Sequence, residues 1–176
     1  MAAIPFPEEV RERVTSYIRH QGSKSPDAIL DLVQTSQQRF LDVVSGLRED
    51  VTARKPAPEE WSVRELVRHV IDAEESVAIL VHNLSRGEGP PSGRGAGRMV
   101  EDTGQPFLDF VAQLRGVNDS LIREIRGLPA APDLEKKAPH PFFGPLNCME
   151  WAAFQRVHDE DHVQHAQKIL AAVANT

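Results

Sequence analysis

The sequence Arg156-Val157-His158-Asp159-Glu160-Asp161-His162-Val163-Gln164-His165 lies in the last segment of the chain that has helical periodicity. Its histidines His158 and His162 are four residues apart, a spacing that on a helix places both side chains on one face, with Cβ atoms about 6 Å apart. Two imidazoles in this arrangement can bind one divalent metal ion. They also continue a largely apolar stripe, which consists of Trp151, Phe154, His158, His162, His165 and Ile169. The stripe predicts that the histidines face the protein interior.

The histidine pair alone is weak evidence for a metal, because seven histidines in 176 residues give about 0.3 such pairs by chance. An exposed polar face that happens to carry histidines is the alternative. Two ligands are also too few for a tight site, so we expect a third. His69 is the best candidate, since it lies on the apolar stripe of an earlier helix beside Leu66 and Val70. The alternative for His69 is a hydrogen-bonded core histidine.

His165 is a competing third ligand, one turn beyond His162. Three ligands at positions i, i+4 and i+7 of one straight helix spread over about 10 Å of its axis and rarely converge on one ion. His20, His82 and His140 lie outside the inward stripes, although His140 could line a pocket beside the last helix.

Four long segments have helical periodicity, and stretches rich in proline or glycine separate them. In chain order they are a helix that starts after residues 25–27, one that opens at 62, one at about 105–126 and one from 147 to about 172, with a short helix at 8–18 ahead of them. The second and fourth open with the capping-box patterns Ser62–Glu65 and Asn147–Glu150. No segment alternates with period two, so no strand is predicted.

Four helices of this length predict an all-α four-helix bundle with a short extra N-terminal helix, folded as one domain over residues 1–176. The connections at 85–102 and 128–145 are long enough to cross over the bundle instead of forming tight hairpins. The Gly-, Pro- and Arg-rich stretch at 87–97 is interpreted as a connector. It lacks both the preceding strand and the Gly-Lys-Ser/Thr ending of a phosphate-binding loop.

Composition excludes several classes of protein. A net charge of −6 gives no basic surplus for nucleic acid, and no apolar run reaches the roughly 20 residues needed to span a membrane. The N-terminal sequence does not resemble a secretion signal, and the single cysteine, Cys148, fits a reducing compartment. We therefore expect a cytoplasmic protein. Cys148, at a helix start, is interpreted as structural, although the helix dipole could lower its pKa.

Other metal-site patterns fit the sequence poorly. The zincin helix requires Glu directly after the first histidine, where this chain has Asp159. A di-iron bundle requires two Glu-x-x-His pairs and two further glutamates, and the chain offers only Asp159-x-x-His162. The histidine and water ligands that remain suit zinc, nickel, copper and iron alike.

Two segments resemble a known family. The first is 58–69, Pro-Glu-Glu-Trp-Ser-Val-Arg-Glu-Leu-Val-Arg-His, and the second is 140–146, His-Pro-Phe-Phe-Gly-Pro-Leu, followed by Glu150-Trp151 and by 158–162. They are similar to the second helix and the end of proteins of the DinB/YfiT-like superfamily. The resemblance extends in helix order over most of the chain, with these segments as its specific part.

The resemblance implies a four-helix bundle that binds a divalent metal, zinc or nickel, through three histidines. One histidine comes from the second helix and two from a His-x-x-x-His pair in the fourth, which here are His69, His158 and His162. Members are often dimeric, so a homodimer is expected. Some relatives are metal-dependent transferases or isomerases that use low-molecular-weight thiols, while many have no established activity.

The leading functional hypothesis is a metal-dependent thiol S-transferase or hydrolase with a small-molecule substrate. Three histidines leave one position open for a water or thiol, as in catalytic zinc sites. Asp72 and Glu160 are candidates for orienting the ligands, and the loop arginines Arg86, Arg94 and Arg98 for meeting an anionic substrate. The alternative is a non-catalytic module in which the metal braces the bundle for binding or sensing. A DNA-handling role is disfavoured by the acidic charge balance.

Overall fold

The computed structural model describes residues 7–91 and 98–174. Its elements, in chain order, are α1 (Glu8–Gly22), α2 (Pro26–Val44), α3 (Glu49–Thr52), α4 (Val63–Ser85), α5 (Phe107–Arg126), β1 (Ala138–His140), β2 (Gly144–Leu146) and α6 (Cys148–Ala174). The long helices α2, α4, α5 and α6 form the predicted four-helix bundle, and α1 packs on α6 as the extra N-terminal helix. Among the described helices, none combines the length and apolar composition of a membrane-spanning segment.

The helices pack in the cyclic order α2, α6, α4, α5, so α2 lies diagonally opposite α4, and α5 lies opposite α6. The connection from α5 to α6 therefore crosses the end of the bundle, as expected for a long crossover. The connection from α4 to α5 joins neighbouring helices instead. The shorter connection from α2 to α4, which contains α3, also crosses the bundle. Residues 92–97 of the predicted connector lie outside the described residues.

Both predicted capping boxes are present. Ser62 Oγ accepts a hydrogen bond from the Glu65 N–H, and Glu65 Oε2 accepts one from the Ser62 N–H. Asn147 and Glu150 make the same reciprocal pair at the start of α6, both at 2.9 Å. Each pair satisfies amides that the first helical turn leaves without partners. The caps fix where α4 and α6 begin, and these helices carry the candidate histidines.

The expectation of no strands was wrong for residues 138–146. Ala138–His140 and Gly144–Leu146 form a two-stranded antiparallel hairpin, with Ala138 opposite Leu146. Three residues a strand are too few to produce a recognisable alternation. The hairpin instead depends on Gly144, whose φ of 75° suits glycine, and on burial of Ala138 and Leu146. The single-turn α3 was also not predicted, and α1 extends four residues beyond its predicted end.

A layer of buried polar side chains crosses the middle of the bundle and divides the apolar core into two clusters. We refer to it as the polar layer, and all four long helices contribute to it. Its members are Ser36, Gln37, Glu74, Asn118, Gln155 and Asp159. One apolar cluster contains the hairpin and the first half of α6, and the other contains the first halves of α4 and α5. The polar layer gives the helices a fixed register, because sliding one helix would bury its polar group against apolar neighbours.

Candidate metal centre

Three histidines from two helices converge at one point. His69 lies on α4, and His158 and His162 lie one turn apart on α6, which packs against α4. The Nε2 atom of His158 is 3.4 Å from that of His69 and 3.1 Å from that of His162. One nitrogen from each ring lies within 4.8 Å of the other two, and together they could hold a metal ion. The structure thus brings together the three histidines that the sequence singled out.

His69 has its ring orientation fixed by the protein backbone. Its Nδ1 atom is 3.0 Å from the carbonyl oxygen of Arg98. A carbonyl only accepts hydrogen bonds, so Nδ1 must be the donor and carry the ring proton. The Nε2 atom of the neutral ring is then unprotonated and directs its lone pair toward His158. An outer hydrogen bond of this kind is what metal-binding histidines usually have.

All three imidazoles are neutral at pH 7. Burial lowers the pKa of His158 well below its ordinary value, and the neighbouring histidines lower it further. Burial lowers the pKa of His162 to about 3, and the neighbouring His69 and His165 contribute to this shift. Burial also lowers the pKa of His69, although the Arg98 carbonyl and the charge of Asp72 oppose this effect. Neutral rings keep the lone pairs that a metal requires.

The distances between the Nε2 atoms suit the binding of one shared metal ion. Two nitrogens bound to one tetrahedral zinc at about 2.0–2.1 Å lie about 3.3–3.4 Å apart, close to the 3.4 and 3.1 Å found here. The outer Nδ1 atoms of His158 and His162 are buried, and they have no hydrogen-bond partner among the described residues. Of the three histidines of the triad, only His69 therefore has a tautomer set by a contact with the described part of the protein. The donor set and its spacing fit a divalent metal.

The two carboxylates expected near the ligands lie in different places. Asp72 influences His69 electrostatically, and its Oδ1 is 3.9 Å from the Arg98 Nε. It thus lies beside the residue whose carbonyl orients His69. Glu160 accepts a hydrogen bond from the Arg39 guanidinium of α2 at 2.6 Å. This ion pair links α6 to α2.

The competing ligand His165 packs outside the triad. Its ring stacks on Trp61 at 6.0 Å and lies 6.1 Å from the ring of His162. Trp61 also packs against His69, with ring centroids 5.1 Å apart. Trp61 thus packs against both His165 and His69. In the sequence, Trp61 was part of the segment 58–69 that resembles the family, but no role at the site was predicted for it.

The loop arginines and the cysteine have other surroundings. Arg86 donates to the carbonyl oxygen of His82 at 2.9 Å and so lies at the end of α4. Arg98 contributes its main chain to His69, as described above, and Arg94 lies outside the described residues. Cys148 is fully buried, and burial raises the pKa of its thiol, which agrees with a structural role.

The polar layer adjoins the triad through Asp159, the residue after His158. Asp159 accepts hydrogen bonds from Ser36 and Gln155, both at 2.7 Å. Gln155 also donates to Glu74 at 3.4 Å, and Gln37 donates to the other oxygen of that carboxyl group. Burial raises the pKa of Asp159 to about 7 and that of Glu74 well above its usual range. Glu74 was not predicted, although a carboxylate on the apolar stripe of α4 is a recognisable signal.

Known proteins share this architecture. The family model of the DinB superfamily matches residues 32–166. Over 142 residues the chain is 26% identical to the uncharacterized protein YuaE of Bacillus subtilis (strain 168), covering 72% of this chain and 87% of YuaE. Two solved structures have a similar fold. TT2238, a four-helix bundle protein, superposes with a TM-score of 0.62 at 20% identity, covering 82% of this chain and 99% of TT2238.

The second structure is YfiT from Bacillus subtilis, a probable metal-dependent hydrolase with an unusual four-helix bundle topology. It superposes with a TM-score of 0.64 at 15% identity, covering 82% of this chain and 85% of YfiT. Likeness at this level of identity shows the fold. The family match spans the segment from α2 to α6 with all three histidines, and the protein therefore belongs to the DinB superfamily.

Proposed function

We propose that this protein is a metal-dependent enzyme that acts on a small-molecule substrate. In this proposal His69, His158 and His162 hold one divalent cation, zinc or nickel. The observation that carries the proposal is the convergence of three neutral imidazoles, with Nε2 atoms 3.4 and 3.1 Å apart. Three protein ligands leave a further coordination position open, which is typical of catalytic sites and not of closed structural ones.

A bound divalent ion would supply Lewis acidity, lowering the pKa of a water or thiol ligand toward neutrality. The chain's own residues orient the ligands and shield them from solvent. The Arg98 carbonyl holds the His69 ring, while Trp61 and Phe154 flank the histidines at centroid distances of 5.1 Å from His69 and 5.8 Å from His158. These apolar rings lower the local dielectric constant and strengthen electrostatic interactions within the site.

Two reactions suit this site, and they differ in the nucleophile. In hydrolysis the nucleophile is water, which is supported by the likeness to YfiT, a probable metal-dependent hydrolase. In S-transfer it is a low-molecular-weight thiol, which is the expectation from the family resemblance. A thiol would have to come from solution, because the chain's single cysteine, Cys148, is fully buried. The homodimer remains a prediction.

The proposal is tested by loading the purified protein with zinc or nickel and measuring turnover on two panels. One panel contains esters and amides, and the other pairs electrophiles with low-molecular-weight thiols. We expect turnover with one panel, its loss on chelation and in His162→Ala, and its retention in His20→Ala, which changes an exposed histidine. Stoichiometric metal with no turnover on either panel would contradict the enzymatic proposal and favour the metal-braced binding or sensing module.

A further inference from the structure

His140, at the end of β1, has a tautomer that the hairpin turn fixes. Its Nδ1 atom accepts hydrogen bonds from the backbone N–H groups of Phe142 at 3.1 Å and Phe143 at 3.3 Å. A backbone N–H can only donate, so Nδ1 carries no proton. The proton of the neutral ring must therefore be on Nε2. This is the reverse of His69, whose Nδ1 is the donor.

Aromatic side chains hold the His140 ring in place. Phe143 stacks on it at 4.6 Å, Phe154 meets it edge-on at 4.5 Å, and Trp151 lies at 5.3 Å. Burial among these residues lowers the pKa of His140 to about 4, so the ring is neutral at pH 7. His140 thus presents a rigid, uncharged N–H donor.

The ring of His140 shares a neighbour, Phe154, with the triad. The Phe154 ring is 4.5 Å from that of His140 and 5.8 Å from that of His158, so it bridges the two histidines. His140 also contributes to lowering the pKa of His158, which requires proximity. Within residues 7–91 and 98–174, the hydrogen bonds of His140 use Nδ1, and its Nε2–H has no protein acceptor. A partly buried ring whose tautomer is fixed and whose donor is unused by the protein is what a ligand-binding group requires.

We propose that His140 is a substrate-binding residue of the triad site, whose Nε2–H donates a hydrogen bond to a carbonyl or carboxylate oxygen of the substrate. This inference rests on the proposed function, because that function places the substrate at the three histidines. It narrows the substrate class to small molecules with an acceptor oxygen beside the reacting group. An uncharged donor serves a neutral carbonyl as well as a carboxylate.

The competing explanation is that His140 only stabilises the hairpin through its Nδ1 atom. Two variants separate the roles. The carbonyl oxygen of His140→Asn can occupy the position of Nδ1 and accept from the turn, but the side chain has no donor at the position of Nε2. The amide of His140→Gln reaches the position of Nε2 but does not reproduce the Nδ1 acceptor.

The experiment titrates acetate into the cobalt(II)-loaded protein and follows the visible absorption of the cobalt site. We expect His140→Asn to weaken acetate binding by about tenfold, the loss expected for one hydrogen bond to a charged group. Its cobalt stoichiometry and unfolding midpoint should match those of the wild type, and His140→Gln should retain acetate binding. Wild-type acetate affinity in His140→Asn, or loss of affinity in His140→Gln alone, would overturn the proposal.

A second measurement does not depend on metal. Long-range 1H–15N spectra of the metal-free protein should show the His140 proton on Nε2, and a proton on Nδ1 would overturn the proposal. Failure of the wild type to take up cobalt would instead refute the proposed function. The two failures are therefore distinguishable.

Discussion

The Nδ1 atom of His69 donates a hydrogen bond to the carbonyl oxygen of Arg98 at 3.0 Å. This bond joins a helical side chain to the main chain of the connection between α4 and α5. The Arg98 guanidinium is in turn near Asp72, one turn beyond His69 on the same helix. The geometry of the triad thus depends on this connection as well as on helix packing.

A first prediction uses Trp61, whose ring centroid is 5.1 Å from that of His69. Trp151→Phe leaves Trp61 as the single tryptophan, since the chain has two. We expect nickel to quench the fluorescence of this variant with a saturation point at one ion per chain, because a paramagnetic ion would lie next to the ring. The measurement is a fluorescence titration. In the reciprocal variant Trp61→Phe quenching should be weaker, and equal quenching in both would contradict the placement of the metal.

A second prediction concerns Glu74 in the polar layer. Burial and the charge of Asp159 raise its pKa in the folded protein, so the folded state retains a proton that the unfolded state releases above about pH 4.3. The contribution of Glu74 to the stability of the wild type therefore falls as the pH rises through this window, by up to about 1.4 kcal/mol per pH unit. Glu74→Gln lacks this loss, so its free energy of unfolding relative to the wild type should increase with pH.

Urea unfolding at several pH values between 5 and 8 checks this prediction for Glu74. The control is Glu12→Gln, which changes an exposed carboxylate of α1. Its free energy of unfolding should run parallel to that of the wild type. Parallel curves for Glu74→Gln would show that Glu74 is ionised in the folded protein.

A third prediction concerns the cap of α4. Ser62→Ala removes the hydroxyl that accepts from the Glu65 N–H, and we expect a loss of about 1 kcal/mol in the free energy of unfolding. Chemical denaturation measures this loss. The exposed Ser23→Ala is the control and should change stability by only a few tenths of that amount. An equal change in the free energy of unfolding for the two substitutions would show that the capping box of Ser62 and Glu65 does not stabilise α4.

A fourth prediction compares two glycines at which an added Cβ would meet open space. Gly144 has φ +75°, whereas Gly116 lies within α5 and has no positive φ. Gly144→Ala should destabilise the protein by about 1 kcal/mol through backbone strain in the hairpin. Gly116→Ala should stabilise it by about 0.5–1 kcal/mol through helix propensity. Thermal unfolding of both variants measures these changes in stability. A Gly144→Ala variant more stable than the wild type would contradict the hairpin geometry.

The sequence predicted the helices well because each long helix has a 3.6-residue apolar stripe, and two carry complete capping boxes. The convergence of His69 with His158 and His162 followed from their inward positions together with the family resemblance. The Arg98 carbonyl was not predictable, since a main-chain atom leaves no residue signature. The hairpin at 138–146 was missed because its strands are too short for periodicity and its register depends on packing against α6.

The central claim is most directly tested by elemental analysis of the purified, untagged protein by plasma mass spectrometry, beside His158→Ala and the exposed control His20→Ala. We predict about one zinc or nickel per chain in the wild type and in His20→Ala, and its loss in His158→Ala. Circular dichroism should confirm that all three proteins are helical. A wild type that contains no metal and takes up none on addition of zinc or nickel would contradict the account.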